Sequence, residues 1–211
     1  MTGSVAPAAG AALPDVSRET SDRLACLVSE LQRWQAVKNL VGRGTLDQAW
    51  SRHIDDSLQL FAYRGDARTW LDLGSGAGFP GLVVAIAGRD TGLAVTLVES
   101  NARKCAFLRH VARLTETPVT IHDDRLEAVI PTLVGSTDIV SARALASLTQ
   151  LLAWTAPLLE TGTLGLFPKG RGLQSELTEA RKTWTFAADI LPSVTDSEAG
   201  IIRITSFETH P

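Results

Sequence analysis

The chain has 211 residues, 45% of them hydrophobic and 20% charged, with a formal net charge of −3. That composition is ordinary for a globular protein of one domain with an appendage, and it excludes a chain that is disordered throughout. No apolar run approaches the roughly 20 residues of a membrane helix. The acidic balance argues against a nonspecific nucleic-acid coat while leaving room for local basic patches.

Residues 1–14 are rich in Ala, Gly and Pro and read as a loose, flexible tail. They lack the basic-then-apolar order of a signal peptide. The two cysteines, Cys26 and Cys105, have neither zinc nor disulfide-scaffold spacing, so a reducing cytoplasm is the expected compartment. Residues 15–65 read as an N-terminal helical extension. From about Ser17, Leu24, Leu27, Val28, Leu31 and Trp34 recur at helical spacing, and Asn39-Leu40-Val41-Gly42 ends that helix. Thr45 and Gln48 form a capping-box pattern for a second helix, with Ala49, Trp50, Ile54, Leu58 and Phe61 as its apolar stripe. His53, Asp56 and Ser57 share another face of it, because residues three and four apart are neighbours on a helix.

From Thr69 onward strands and helices alternate, which predicts an α/β domain over residues 66–211 with a parallel, doubly wound sheet. Strands are expected at 70–73, 93–98, 119–121, 138–141 and 163–167, and helices at 82–87, 102–114, 126–133, 148–159 and 174–183. Two last strands, near 187–191 and 201–207, should form an antiparallel edge and bring the sheet to seven.

The stretch Trp70-Leu71-Asp72-Leu73-Gly74-Ser75-Gly76-Ala77-Gly78-Phe79-Pro80-Gly81 is where this domain gathers its chemistry. A strand that breaks into glycines and then enters a helix is how open α/β sheets build a nucleotide pocket. Glycine lets the backbone approach a ligand, and the helix start offers unpaired N–H groups to an anion. Pro80 suits a first helical turn, where its missing N–H costs nothing. Gly76 to Gly81 satisfies the dinucleotide spacing, but the run from Asp72 through Gly74, Gly76 and Gly78 looks like the first motif of S-adenosylmethionine-dependent methyltransferases. An acid at the strand end receives an ammonium, whereas beside a pyrophosphate it repels. Charge therefore favours the methyl donor over NAD.

Glu99 lies 25 residues after Gly74, at the end of the second strand, where such folds bridge the two ribose hydroxyls; a surface acid before a basic helix is the alternative. Asp124-Arg125-Leu126-Glu127 follows the third strand, where an adenine ring is usually held. Two stretches are locally basic. Arg33 to His53 carries Arg33, Lys38, Arg43 and Arg52 against Asp47, which is 4 − 1 = +3, and Ser100 to Thr115 carries Arg103, Lys104, Arg109 and Arg113 with no acid, +4. Each is either a solvated helix face or a place to meet phosphate.

Taken together, Asn39-Leu40-Val41, Arg52-His53-Ile54-Asp55-Asp56-Ser57-Leu58, the glycine loop with Phe79-Pro80-Gly81, Ser141-Ala142-Arg143-Ala144 and Lys169-Gly170 resemble the glucose-inhibited division protein B family. These are bacterial small-subunit ribosomal RNA guanine-N7 methyltransferases. The resemblance implies a class I, Rossmann-like methyltransferase fold, S-adenosylmethionine as cofactor with S-adenosylhomocysteine as product, and as acceptor one guanine, at position 527, in the 530-region loop of 16S rRNA. It implies cofactor contacts by Gly74, Phe79, Leu126, Glu127 and Arg143, to which the residues themselves add Asp72, Gly76, Gly78 and Glu99. Leu126 stands where the family often has alanine, and Phe167-Pro168 precede Lys169 where a plainer strand end is usual.

N7 of neutral guanine already carries an in-plane lone pair, so no general base is needed. Alignment of reacting atoms then does the work, with about 7–11 kcal/mol available from it. Candidates for positioning the target base are His53, Asp56, Arg143 and Lys169, and for meeting RNA they are Arg43, Arg52, Arg103, Lys104, Lys169 and Arg171. The expected partner is 16S rRNA or the small ribosomal subunit, with no membrane, no metal and no obligatory protein partner, so a monomer. Rival readings are a small-molecule methyltransferase, an NAD-dependent oxidoreductase on the same glycine loop, and a non-catalytic RNA-binding module.

Overall fold

The computed structural model describes residues 12–35 and 50–208. Most of the expected tail, the break at 39–42, the capping pair Thr45 and Gln48, and the candidate Arg43 lie outside the described residues. Helix α1 (Arg18–Gln35) stands where its spacing put it. Ser17 Oγ accepts the Thr20 N–H at 3.2 Å, and Leu24, Leu27 and Leu31 are fully buried.

The second helix departs from expectation. Trp50–Asp55 form a π turn, and only then does α2 (Asp56–Phe61) begin. A wider turn breaks the 3.6-residue stripe. Ile54 and Leu58 stay in the core, but Trp50 is left 40% exposed, and Ser57 turns inward to donate to the His53 carbonyl at 2.6 Å.

The sheet is seven-stranded: β1 (Thr69–Leu73), β2 (Ala94–Val98), β3 (Thr120–His122), β4 (Ile139–Ala142), β5 (Leu164–Lys169), β6 (Thr185–Pro192) and β7 (Gly200–Glu208). Its order is β3-β2-β1-β4-β5-β7-β6, parallel through β5 and closed by the antiparallel β7 and β6. Helix α3 (Gly81–Gly88) follows β1, α4 (Ala102–Leu114) follows β2, and α5 (Leu126–Val129) follows β3. Helix α6 (Leu148–Leu159) follows β4, and α7 (Leu173–Ala180) follows β5. Strand β5 runs two residues further than expected, through Pro168 and Lys169, because β7 pairs with it there; α7 stops three residues short.

Alternate strand residues feed two cores. Trp70, Ile139, Leu166 and Ile201 pack with α1 to α4, while their neighbours Leu71, Val140, Phe167 and Ile202 pack with α6 and α7. Both faces are therefore covered, which is why the parallel strands read as continuous apolar runs. The strand order changes direction between β1 and β4, and the carboxyl ends of those two strands flank the place where ligands gather in such sheets.

Helix α4 is started by Asn101, whose Oδ1 accepts from the Arg103 and Lys104 N–H groups at 3.0 and 3.3 Å. Asn101→Ala is expected to cost about 1 kcal/mol and lower Tm by roughly 2–4 °C, read by calorimetry. An unchanged Tm removes the cap from the account. Among the described residues no helix is long and apolar enough to cross a membrane.

Candidate active site

After Leu73 the chain turns through Gly74, Gly76 and Gly78 with φ of +63°, +58° and +95°, conformations that side chains resist. Pro80 caps α3 just before its first turn, with a cis bond from Phe79. Gly81 is required by space instead: a Cβ there runs into Leu97 Cδ2 and meets Asp72 Oδ2 at 2.6 Å.

Asp72 lies behind this loop and not at its mouth. It is fully buried; Oδ2 accepts the Gly81 N–H at 3.1 Å and Oδ1 accepts the Ser141 hydroxyl at 2.7 Å. The β1–β4 register brings Asp72 opposite Ser141, whose Oγ also accepts the Trp70 indole N–H at 2.9 Å. The expectation that Asp72 receives a ligand's ammonium is thus corrected: a side chain without solvent access, bonded to its own protein, shapes the loop. Burial pushes its carboxyl up to about 6, against the pull of those hydrogen bonds.

Glu99 sits where it was expected, at the end of β2. Its Oε2 accepts the Gly76 N–H at 2.9 Å and its Oε1 the Asn101 N–H at 2.8 Å, so one carboxylate ties the glycine loop to the start of α4. It also lines a cavity of about 280 Å³ with Gly74, Leu126 and Glu127, close to the size of a small-ligand pocket. Lys104, expected on the RNA side, is half-buried in the wall of this cavity instead. Leu145 and Trp154 complete it, and neither was anticipated. Gly78 is turned to the core, where a Cβ meets Leu82 at 2.8 Å; at Gly76 a Cβ makes only an ordinary contact, 3.8 Å from the Gly74 carbonyl oxygen.

A second, larger cavity of about 930 Å³ is lined by Arg52, His53, Asp56, Gln59, Arg143, Lys169, Arg171 and the loop between β6 and β7. Ala144, at φ +52°, lines both cavities, so the β4–α6 loop is a shared wall. On the larger side Arg143 is held by four partners. It donates to the Arg52 carbonyl, to Asp56 Oδ2 and to His53 Nδ1, each at 3.0 Å, and its Cζ lies 5.4 Å from the Phe79 ring centroid. His53 stacks on Phe79 at 4.7 Å. A guanidinium has no acceptor, so Nδ1 must accept and Nε2 carries the proton. Burial first, then Arg143, pushes the imidazole down to about 4, so it is neutral near pH 7. Its Nε2 is the buried side-chain polar atom left without a partner among the described residues.

Gln59, which sequence reasoning missed, holds this cluster from behind. Buried at 2% exposure, it donates to Asp56 Oδ1 at 2.8 Å and accepts the Val194 N–H at 3.1 Å, tying α2 to the β6–β7 loop. The signal available was its i+3 relation to Asp56. Phe79, Arg143, His53 and Asp56 are thus brought together, but beside the larger cavity. Lys169 is a correction: its ammonium is turned inward, donating to the Ala146 carbonyl and Glu176 at 2.7 Å each, with the side chain 8% exposed. It braces the loop before α6 and is not free for a phosphate. Arg171 is exposed at the rim and paired with Glu198 at 2.7 Å; Arg52 is exposed on the π turn, and Arg103 is exposed at the start of α4, outside both cavities.

Solved structures with this fold include the S-adenosylhomocysteine-bound methyltransferase PaMTH1 of Podospora anserina, 14% identical, TM-score 0.61, covering 94% of this chain and 99% of that one. An O-methyltransferase of Bacillus cereus, also in complex with S-adenosylhomocysteine, is 12% identical with TM-score 0.59, over 85% of this chain and 90% of that one. At these identities the likeness concerns the fold. Sequence relatives are much nearer. Ribosomal RNA small subunit methyltransferase G of Methylobacterium radiotolerans is 62% identical over 192 residues, 91% of this chain and 90% of that protein. The protein of that name from Parvibaculum lavamentivorans is 50% identical over 195 residues, 92% and 86% of the two chains. The model of the GidB family, rRNA small subunit methyltransferase G, matches residues 20–204, nearly the whole span that forms the fold and both cavities, and the chain belongs to that family.

Proposed function

We propose that this protein transfers a methyl group from S-adenosylmethionine to N7 of a single guanine in the 530-region loop of 16S rRNA, at position 527. One observation carries the reading: a nucleoside-sized cavity with Glu99 in its wall abuts, across Ala144, a larger polar cavity rimmed by Arg52 and Arg171. The smaller suits the donor and the larger a base with its flanking phosphates.

Gly74, Glu99, Leu126 and Glu127 hold the nucleoside; Gly76 and Gly78 shape the loop, and Phe79 and Arg143 stand beside the larger cavity. Bound there, S-adenosylmethionine supplies a methyl group already activated by its sulfonium. The protein's own residues align and exclude water; none has to take a proton, because N7 attacks through a free lone pair. His53, neutral and stacked on Phe79, accepts from Arg143 through Nδ1, and Asp56 pairs with the same guanidinium, so both hold Arg143 in place. Arg52, Arg103 and Arg171 are the exposed candidates for meeting phosphate, with Lys104 and Lys169 withdrawn into the walls. A target base has to be splayed out of its loop to enter, so the substrate is a folded RNA surface and not a uniform strand. An RNA substrate goes with a cytoplasmic location.

The test is to incubate the protein with labelled S-adenosylmethionine and small ribosomal subunits lacking this modification, then map the labelled nucleotide. Label at N7 of the one guanine is expected, with subunit binding that weakens as salt rises because several phosphates are neutralised. Label on another ring nitrogen, or only in low-mass acceptors, overturns the reading.

A further inference from the structure

We infer that the turn between β6 and β7 is a working part of the acceptor site: through Gln59 and Thr195 it fixes Asp56, and Asp56 in turn fixes the aim of Arg143. This role rests on the acceptor reading above. Gln59 and Thr195 are positioning residues, since neither borders the smaller cavity and each acts through the Asp56 carboxylate.

Three donors converge on that carboxylate. Oδ2 accepts from Arg143 Nη1 at 3.0 Å, while Oδ1 accepts from Gln59 Nε2 at 2.8 Å and from the Thr195 hydroxyl at 3.1 Å. Chemistry fixes the direction of each bond. The Val194 N–H lies 3.1 Å from Gln59 Oε1, so the oxygen of that amide faces the turn and its NH₂ faces Asp56. A carboxylate only accepts, so Thr195 gives its one hydroxyl proton to Asp56, and Ser193 Oγ, 2.9 Å away, donates to Thr195 Oγ1. Ser193 Oγ also accepts the Thr195 N–H at 3.2 Å, which pins the turn in this shape.

Holding the hairpin together does not require these bonds. Strands β6 and β7 pair from Thr185 opposite Glu208 to Pro192 opposite Gly200, and β7 is paired with β5 as well, so backbone bonds alone register both strands. The clasp lies beyond the last pair of that ladder, where Ser193 and Thr195 are half-buried and Val194 and Asp196 are exposed. Ser193, Thr195 and Asp196 line the larger cavity together with Asp56 and Arg143. The Asp56 and Arg143 side chains are only 20% and 17% exposed, a setting in which hydrogen bonds to a charge hold more firmly than at a free surface. Without the clasp Oδ1 loses both of these donors, and the carboxylate and guanidinium can swing as a pair. A mis-aimed guanidinium leaves the RNA bound but the base out of line, so the loss falls on kcat and not on KM.

The experiment measures methyl transfer to small ribosomal subunits lacking the modification. Values of kcat are expressed per S-adenosylhomocysteine-binding site counted by titration calorimetry, so that unfolded protein does not contribute. Thr195→Val keeps the shape and loses the donor, and its kcat is expected to fall about fivefold. Thr195→Ser restores the hydroxyl and should stay within about twofold of wild type. Gln59→Leu removes the bonds to both Asp56 and Val194 and should lose about tenfold. In all three, the KM for subunits and the affinity for S-adenosylhomocysteine should change by less than about twofold. Wild-type kcat in Thr195→Val, an equal loss in Thr195→Ser, or a loss carried by KM or by S-adenosylhomocysteine affinity overturns the inference while the functional reading stands. No transfer to subunits by wild type overturns that reading and the inference with it. Thr195 stands on a turn outside the core, so its two variants decide even where Gln59→Leu fails to fold.

Discussion

Replacing Glu99 with alanine is expected to weaken S-adenosylhomocysteine binding by about 100-fold while leaving the chain folded. The carboxylate accepts from Gly76 N–H at 2.9 Å and from Asn101 N–H at 2.8 Å, and it borders the nucleoside-sized cavity. Hydrogen bonds to a charged group contribute roughly 1.5–3 kcal/mol each, and tenfold in affinity is about 1.4 kcal/mol. Alanine removes the ribose acceptor and also frees the Gly76 N–H, so the loop loses its tie to α4. Glu99→Gln keeps the shape and one acceptor oxygen and should fall between, about tenfold weaker. Titration calorimetry reads both. If Glu99→Ala binds as wild type does, the carboxylate only braces the loop and takes no part in holding the ligand.

The second large effect concerns Asp72 and carries a pH signature. Asp72→Ala strands the Gly81 N–H and the Ser141 hydroxyl in the core and is expected to cost about 3 kcal/mol or more, seen as an early denaturant midpoint. Asp72→Asn behaves differently. Burial holds the folded-state carboxyl up at about 6 against its ordinary 3.8, so its stabilising contribution is complete below 3.8 and lost as pH rises through 6. Across that window the difference is about 3 kcal/mol at 1.36 kcal/mol per unit. Asparagine removes the charge and its oxygen still accepts from Gly81, but its amide meets the Ser141 hydroxyl donor to donor, so Ser141 has to turn its proton elsewhere. Measured against wild type, Asp72→Asn should therefore be about 3 kcal/mol less favourable at pH 4 than at pH 7.

His53 acts in the opposite sense. Its imidazole is pushed from 6.5 down to about 4, first by burial and then by Arg143, so its contribution is lost as pH falls through that range. The two groups offset each other in wild type, which should show a flat stability profile between pH 4 and 6. Removing Asp72 exposes the histidine's acid sensitivity. Denaturant unfolding of both proteins at pH 4, 5.5 and 7 measures the difference; a difference independent of pH sinks the assignment of a raised carboxyl to Asp72.

The parallel strands, the glycine turn after β1 and the helices α4 and α6 are all legible in the chain, because each rests on local periodicity, on glycine's freedom or on burial of both sheet faces. Glu99 is legible for the same reason: a strand end one βα unit beyond the glycines has only one place to be. The π turn at Trp50 is not, because nothing local in Trp-Ser-Arg-His-Ile-Asp distinguishes a five-residue repeat from a four-residue one. Packing against α3 decides it, burying Ile54 and Leu58 and leaving the tryptophan out.

What the sequence alone determined here is the class of fold, the glycine loop after β1 and the family, since these depend on spacing along the chain. Which way a polar side chain faces was left to the tertiary structure. Asp72 and Lys169 read as ligand-facing charges, yet strand register and helix docking supply each with internal partners whose bonds outweigh exposure. Gln59 and Trp154 carry no distinguishing mark in the sequence, and only the contacts between distant segments reveal what stands opposite them. Periodicity specifies how far a side chain is buried; its chemical partner depends on elements far along the chain, as Val194 is for Gln59.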